Sequence, residues 1–251
     1  MIHYHGLPIT PDAACSEVAK AGHVFVSHAY PTQAWLAVDL AQSFALDNGA
    51  FSAWRSGAPV TDWQPFYDWA DKLRRVPSCD FAVIPDVIDG SEADNDRLVG
   101  RWPFGPFGAP VWHLHEGITR LVALARSWPR VCLGSSGQYA EIGTDAWWHR
   151  MADAFDAITD ADGYPICKVH GLRMLAPVVV EAFPFASADS TNIGQNIGLD
   201  GKWNGAYSPA NKATRALVMR GRIEAFNAPQ RWNRQAAQRP LASPLFREGV
   251  A

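Results

Sequence analysis

Phe44-Ala45-Leu46-Asp47-Asn48-Gly49-Ala50-Phe51 is a short apolar run that closes on a carboxylate and then turns. Asp-Asn-Gly is favourable turn chemistry. The same arrangement returns in Phe81-Ala82-Val83-Ile84-Pro85-Asp86 and in Phe183-Pro184-Phe185-Ala186-Ser187-Ala188-Asp189-Ser190. Working outward, further apolar runs lie at 2–5, 23–28, 111–115, 131–135 and 167–170, and the three acid-tipped runs cover 44–47, 81–86 and 183–189. Helical patterning fills the gaps at 11–21, 31–42, 62–75, 91–101, 117–127, 144–159 and 172–181, and a last helix is predicted over 209–226. Thr61-Asp62, Ser91-Glu92 and Thr144-Asp145 supply N-terminal helix signals. Eight strands alternating with helices predict an α/β protein of the (β/α)8 TIM-barrel type. A doubly wound sheet is the rival, but the first strand leads into Gly6-Leu7-Pro8-Ile9-Thr10, which is no GxGxxG phosphate loop.

A chain of 251 residues with 48% hydrophobic and 19% charged residues can bury a sizeable core. The predicted organisation is one barrel over 1–227 and an extended tail over 228–251. Gly100–Pro110 reads as a rigid Pro/Gly loop, and 190–209 as a lid leaving the eighth strand. The net charge of −3 hides an asymmetry: from Lys212 onward there are eight bases against two acids, so the tail is basic and the body acidic. A basic terminal segment suits phosphate contact, with a merely solvated helix as the plain alternative. Cys15, Cys79, Cys132 and Cys167 are far apart and form no CxxC pair, which predicts reduced thiols and a cytoplasmic protein. No secretory signal and no membrane span are expected.

A carboxylate just past a buried strand is costly to desolvate unless something uses it. In parallel α/β proteins the strand C-terminal ends are where ligands bind. The predicted rim carries His5, His28, Asp47, Asp86, His113 or His115, Ser135, Ser136, His170 and Asp189, and it has no lysine. Acids without lysine suit a ligand offering N–H donors, such as a purine-type base, better than a phosphate. Each residue also has a structural reading. Asp47 suits a turn, Asp86 and Asp189 helix caps, the histidines a satisfied core, and Ser135-Ser136-Gly137 a strand-to-helix turn. Trp63, Trp69, Trp147 and Trp148 have helical spacing and are read as packing. Trp203 and Trp232 are the candidates for stacking on nucleotides.

These motifs resemble those of the tRNA-guanine transglycosylases. Asp47-Asn48-Gly49-Ala50-Phe51 resembles their Asp-Ser-Gly-Gly-Phe/Tyr motif, and Asp86 stands where that family keeps a second base-recognising aspartate. Leu133-Gly134-Ser135-Ser136-Gly137 and Lys168-Val169-His170-Gly171 resemble its strand-six and strand-seven turns, and Asp189 matches the nucleophile. The resemblance spans residues 2–191. No cysteine follows Cys167, so the cysteine-rich zinc site of the tRNA enzymes is not expected. That feature and the short length resemble the compact phage-type DNA 7-deazaguanine transglycosylases (DpdA).

The resemblance implies exchange of guanine in DNA for a preQ0-like 7-deazaguanine, in host cytoplasm if phage-encoded, with no cofactor and no metal. DNA is the implied partner in preference to tRNA. The implied roles are Asp189 as nucleophile and Asp47 in proton transfer, with Asp86, His113, His115, Ser135, Ser136, His170 and Gly171 around the base. Lys212, Arg215, Arg220 and Arg222 are the implied phosphate contacts. Three alternatives remain. One is a queuine-type tRNA-ribosyltransferase. Another is a metal-dependent amidohydrolase using His3-Tyr4-His5 as an HxH motif. The third is a silent nucleic-acid-binding barrel.

Overall fold

The computed structural model describes residues 1–203 and 208–237. The chain begins with β1 (Ile2–Gly6), α1 (Asp12–Ala19), β2 (His23–Ser27), α2 (Ala34–Leu40), β3 (Ser43–Asp47), α3 (Ala50–Arg55), α4 (Gln64–Leu73) and β4 (Cys79–Val83). Next come α5 (Glu92–Arg101), β5 (Gly108–Ala109), β6 (Val111–His113), α6 (Ile118–Ser127), β7 (Arg130–Gly134), α7 (Asp145–Ile158) and β8 (Lys168–Gly171). It continues through α8 (Pro177–Val180), β9 (Ser187–Ser190), α9 (Asn192–Asn196), α10 (Lys212–Glu224) and α11 (Arg234–Ala237). The α/β alternation agrees with the sequence pattern. The described residues divide into two compact units, one of Ile2–Val83 with those from Asp189 to Ala225, the other of Met1, Ile84–Ala188 and those from Phe226 to Ala237.

In the first unit β1, β2, β3 and β4 pair in parallel, with Ser27 opposite Asp47 and Leu46 opposite Ala82. Alternation puts successive side chains on opposite faces. On one face the rings of Tyr4, Phe25 and Phe81 meet at centroid distances of 5.9–6.2 Å, and the Tyr4 hydroxyl donates to Asp80 at 2.8 Å. On the other, Val24, Val26, Phe44 and Leu46 are fully buried. α1 has no basic residue in its last turn, and Arg220 of α10 supplies one from the far end of the chain. Its Nη1 donates to the carbonyls of Val18 and Lys20 at 3.1 and 3.0 Å, satisfying acceptors that a helix end leaves open. Gly22 makes that approach possible, since a Cβ there would stand 2.8 Å from the guanidinium carbon.

In the second unit β6, β7, β8 and the start of β9 pair in parallel, with His113 opposite Gly134, Leu133 opposite Gly171, and His170 opposite Ser187. Trp112, Leu114, Leu121, Leu133, Trp147, Phe155 and Phe183 form its core. Of the three helix signals read from the sequence, Ser91 and Thr144 are real caps, whereas α4 after Thr61-Asp62 has Trp63 at its N-cap and no side-chain cap. Ser91 and Asp94 form a capping box on α5, and the Thr144 hydroxyl accepts from the Trp147 amide at 3.2 Å on α7. Trp63, Trp147 and Trp148 are buried, as their spacing predicted. Trp232, a candidate for base stacking, lies face to face with Phe183 at 5.5 Å.

Several boundaries differ from the sequence pattern, each for a local reason. The strand expected over 81–86 stops at Val83, because Pro85 has no N–H for the ladder. The strand expected over 183–189 is Ser187–Ser190, since Pro184 sits in a tight turn closed by Phe185 N donating to Phe183 O at 2.8 Å. The helix expected over 172–181 shrinks to Pro177–Val180, because the residue before a proline is driven out of helical conformation. Among the described residues there are nine strands rather than eight, Gly108–Ala109 being the addition. The segment 190–209 contains α9 and a short turn at Asp200–Trp203. Residues 238–251 of the predicted tail, with Arg239 and Arg247, lie outside the described residues.

The four cysteines are free. Burial, aided by Asp12, pushes the Cys15 thiol up to about 12, and burial likewise raises Cys79 to about 12 and Cys167 to about 11. These thiols stay protonated near neutrality and are poor nucleophiles. Among the described residues no helix is long and apolar enough to cross a membrane.

Candidate active site

Parallel strands bring their C-terminal ends to one edge, and the sequence-predicted residues lie along that edge in each unit. In the unit that holds Asp86, this acid stands three residues beyond β4 and is 7% exposed. His113, the last residue of β6, is 2% exposed, and its Nε2 lies 2.9 Å from Asp86 Oδ2. The contact is at ion-pair distance but out of line for a hydrogen bond, and His113 Nδ1 has no hydrogen-bond partner either. A buried imidazole in that condition is costly unless a ligand completes it. Gly134 on β7 gives the ring its room: a Cβ there would lie 3.3 Å from Nδ1.

His115 stacks on His113 at 5.7 Å with 21° between the rings, and its Nδ1 is 2.7 Å from Ser136 Oγ. Both histidines are therefore engaged at this edge, where the sequence required only one. The two serines separate. Ser135 accepts from the Trp147 indole at 2.9 Å and so faces α7, leaving Ser136 beside the histidine. His170 is fully buried with Nδ1 2.8 Å from Ser187 Oγ. Gly171 is required by packing, since a Cβ would meet Met174 and Phe185 at 2.9 Å.

In the other unit Asp47 is the last residue of β3 and accepts from Ser27 Oγ at 2.6 Å, on the Tyr4 face of the sheet. Asp189 is the third residue of β9 and is 4% exposed. The end of β9 abuts the end of β1: a Cβ on Gly6 would be 2.7 Å from Thr191 and 3.3 Å from Ser190 O. Asp47 and Asp189 thus stand at the same edge of the parallel strands. His3 and His5 point from β1 to the face opposite Tyr4, where His5 Nε2 meets Glu224 of α10 at 3.1 Å. Among the described residues no three His, Cys, Asp or Glu side chains form a metal-ligand set.

The bases of α10 are less free than their sequence suggests. Arg220 joins Glu224 at 2.8 Å as well as capping α1, and Arg215 joins Asp200 at 2.8 Å and the Pro209 carbonyl. Lys212 and Arg222 are exposed, the latter over the Trp203 ring at 4.8 Å. Arg234 pairs with Asp153 and Asp156. Part of the basic segment therefore neutralises acids of the body.

This network fixes a pH dependence. Burial alone would raise the Glu224 carboxyl, but hydrogen bonds from His5 and Arg220 and their charges bring it from 4.5 down to about 2. Burial lowers His23, with Arg220, His3 and His5 adding to the effect and Glu224 opposing it, and burial also lowers His28. All three groups bind protons less readily when folded, so their stabilisation is present above the unfolded value and lost as pH falls. Thermal melts should show stability declining from about pH 6.5 downward as His23 and His28 resist protonation. A second decline should follow from about pH 4.5 toward 2 as Glu224 protonates. A melting temperature that rose between pH 7 and 5 would contradict this assignment.

Asn95, Glu116 and Arg120 were not anticipated, although they are 1%, 3% and 6% exposed. The only sequence signal was the i,i+4 spacing of Glu116 and Arg120, which usually marks a surface pair. Comparison with protein-family models, characterised proteins and solved structures found no match.

Proposed function

We propose that this protein is a base-exchange transglycosylase with a (β/α)8-type barrel. It replaces guanine in DNA with a 7-deazaguanine of the preQ0 kind. The observation that supports this best is the placement of Asp47, Asp86 and Asp189, each at the C-terminal end of its own parallel strand. Asp86 and Asp189 are almost fully desolvated there. The resemblance to the transglycosylase motifs gives these positions their roles.

In this mechanism the target nucleotide leaves the stack, at a cost of a few kcal/mol. A carboxylate oxygen of Asp189 attacks C1′, and the N9–C1′ bond breaks with its electron pair going to guanine, which takes a proton from Asp47 and leaves that group ionised for the second step. The sugar is left as an ester of Asp189. N9 of the incoming base then attacks C1′ and releases the carboxylate, while Asp47 takes the N9 proton. Two displacements retain the anomeric configuration, as in retaining glycosidases. The resemblance gives Asp86 the role of accepting from the N–H edge of the base; within its own unit Asp86 stands beside His113, and Ser136 with His115 lies at the same strand edge. Neither a redox cofactor nor ATP is required. Because Arg215 and Arg220 spend donors internally, phosphate contact falls chiefly to the exposed Lys212 and Arg222.

The test is incubation of the protein with duplex DNA, or with tRNA, and labelled preQ0, followed by digestion and nucleoside mass spectrometry. Label is expected in DNA. Label in tRNA alone would identify the tRNA-ribosyltransferase, and label in neither polymer would overturn the proposal.

A further inference from the structure

We propose that Asn95, Glu116 and Arg120 act as a buried clamp that sets Asp86 and His113 relative to one another. Asn95 and Glu116 are thereby positioning residues of the base site. The clamp rests on geometry, and only its ligand rests on the function proposed above.

Asp86 lies three residues beyond the end of β4. The next amide, Val87 N–H, donates to Asn95 Oδ1 at 2.8 Å. Asn95 Nδ2 donates in turn to Glu116 Oε1 at 2.9 Å. The other carboxylate oxygen, Glu116 Oε2, accepts the backbone N–H of His113 at 2.9 Å and Arg120 Nη1 at 2.7 Å. Arg120 also donates to the Val111 carbonyl at 3.0 Å, tying the carboxylate to the strand that carries His113. An unbroken chain of hydrogen bonds therefore runs from the residue after Asp86 to the backbone of His113, through side chains almost wholly removed from water.

Burying a carboxylate and a guanidinium carries a desolvation penalty that their attraction often only repays, and an apolar replacement of similar volume often stabilises as well. Part of the pair's bonding joins α6 to α5, through Asn95 and through Arg120 Nε donating to Asp96 at 2.8 Å. The rest of its bonding is directed at the site: Glu116 Oε2 accepts the backbone N–H of His113, and Glu116 Oε1 holds the Asn95 side chain that accepts the Val87 N–H. That contact ends in an off-line imidazole with an unpartnered Nδ1, as expected of a preformed arrangement that a ligand edge completes.

Amide hydrogen exchange and calorimetric binding of guanine test this on the full chain. In Asn95→Ala the exchange of both Val87 and His113 should accelerate about tenfold or more, the amides of α7 staying unchanged, and guanine affinity should fall by about tenfold or more. Asn95→Asp keeps the acceptor for Val87 but removes the donor to Glu116. Val87 should stay protected while His113 loses protection, and this variant decides the matter if Asn95→Ala does not fold. Unchanged exchange at His113 in the folded variants would overturn the clamp. So would a wild-type guanine affinity that survives the loss of Asn95. If the wild-type protein binds no guanine, the function proposed above fails while the exchange arms still decide the clamp.

Discussion

Asp189→Asn is expected to yield a folded protein that has lost base exchange. Asn preserves the volume and most of the hydrogen-bonding capacity of a side chain that is 4% exposed, so the cavity penalty of a truncation is avoided. What it removes is the anionic oxygen that attacks C1′. The neighbouring groups can orient the sugar and the base, but none of them then forms the ester. Removing a nucleophile from a cooperating set is among the costliest single changes an enzyme can suffer. A rate loss of at least ~10³-fold, about 4 kcal/mol of barrier, is the expected scale. Nucleoside mass spectrometry after incubation with DNA and labelled preQ0 measures it, and a thermal melt beside wild type controls for folding. A variant that melts normally and still incorporates label at the wild-type rate would exclude Asp189 as nucleophile. A catalytically silent DNA-binding protein would instead keep its DNA affinity in this variant with no exchange to lose.

Phe183→Ala is expected to give the largest loss of stability from any single apolar truncation in its unit. The ring is fully buried and stacks on Trp148 and Phe155 at 5.3 Å and on Trp232 at 5.5 Å, all within 20° of parallel. Trp147 and Phe185 meet its edges at 6.0 Å. Such a ring holds neighbours from α7, from the approach to β9 and from the C-terminal segment at once, so no one of them can collapse into the vacated space. Large-to-small changes of this kind cost ~3–5 kcal/mol, and aromatic contacts add ~0.5–1.5 kcal/mol per pair. At roughly 2–4 °C per kcal/mol for a chain of this size, the melting temperature should fall by about 10 °C. Urea titration of Phe183→Ala beside Phe183→Leu measures it, with Leu expected to recover part of the loss. A shift under ~1 kcal/mol in the Ala variant would mean that the stack carries little of the unit's stability.

The legible features were those with a local cause. The alternation of β1 to β4 appeared in the apolar runs because each strand buries one or both faces within five residues. Ser91 and Thr144 were readable as caps because a cap is satisfied by an amide three residues on. Asp47 could be placed at the end of β3 because the apolar run and the turn after it are contiguous. Prolines 85, 177 and 184 are the local cause of the three shifted boundaries: an apolar run continues through each, but the ring removes an N–H or excludes the preceding residue from helix.

Other features had partners beyond the reach of any local pattern. Ser135 and Ser136 are neighbours in sequence, yet only the placement of α7 assigns Ser135 to Trp147 and leaves Ser136 to His115. His5 looked like a rim residue until α10, more than two hundred positions away, brought Glu224 onto its Nε2. Arg220 is an expected phosphate contact whose i,i+4 partner Glu224 is local, while its second use has no local sign: something at the far end of the chain needs its guanidinium. The end of α1 does. Asn95 carried no signal at all, since an asparagine in an otherwise polar helix resembles any solvated residue.

By itself, then, the sequence determined the α/β alternation, the caps, the reduced cysteines and the carboxylates at strand ends, because backbone periodicity and short-range hydrogen bonding act over a few residues. Only the tertiary structure decided which polar side chains face one another and which of the basic residues are already spent. A buried charge or donor is defined by whatever the fold sets against it, and that partner is chosen by packing rather than by spacing along the chain.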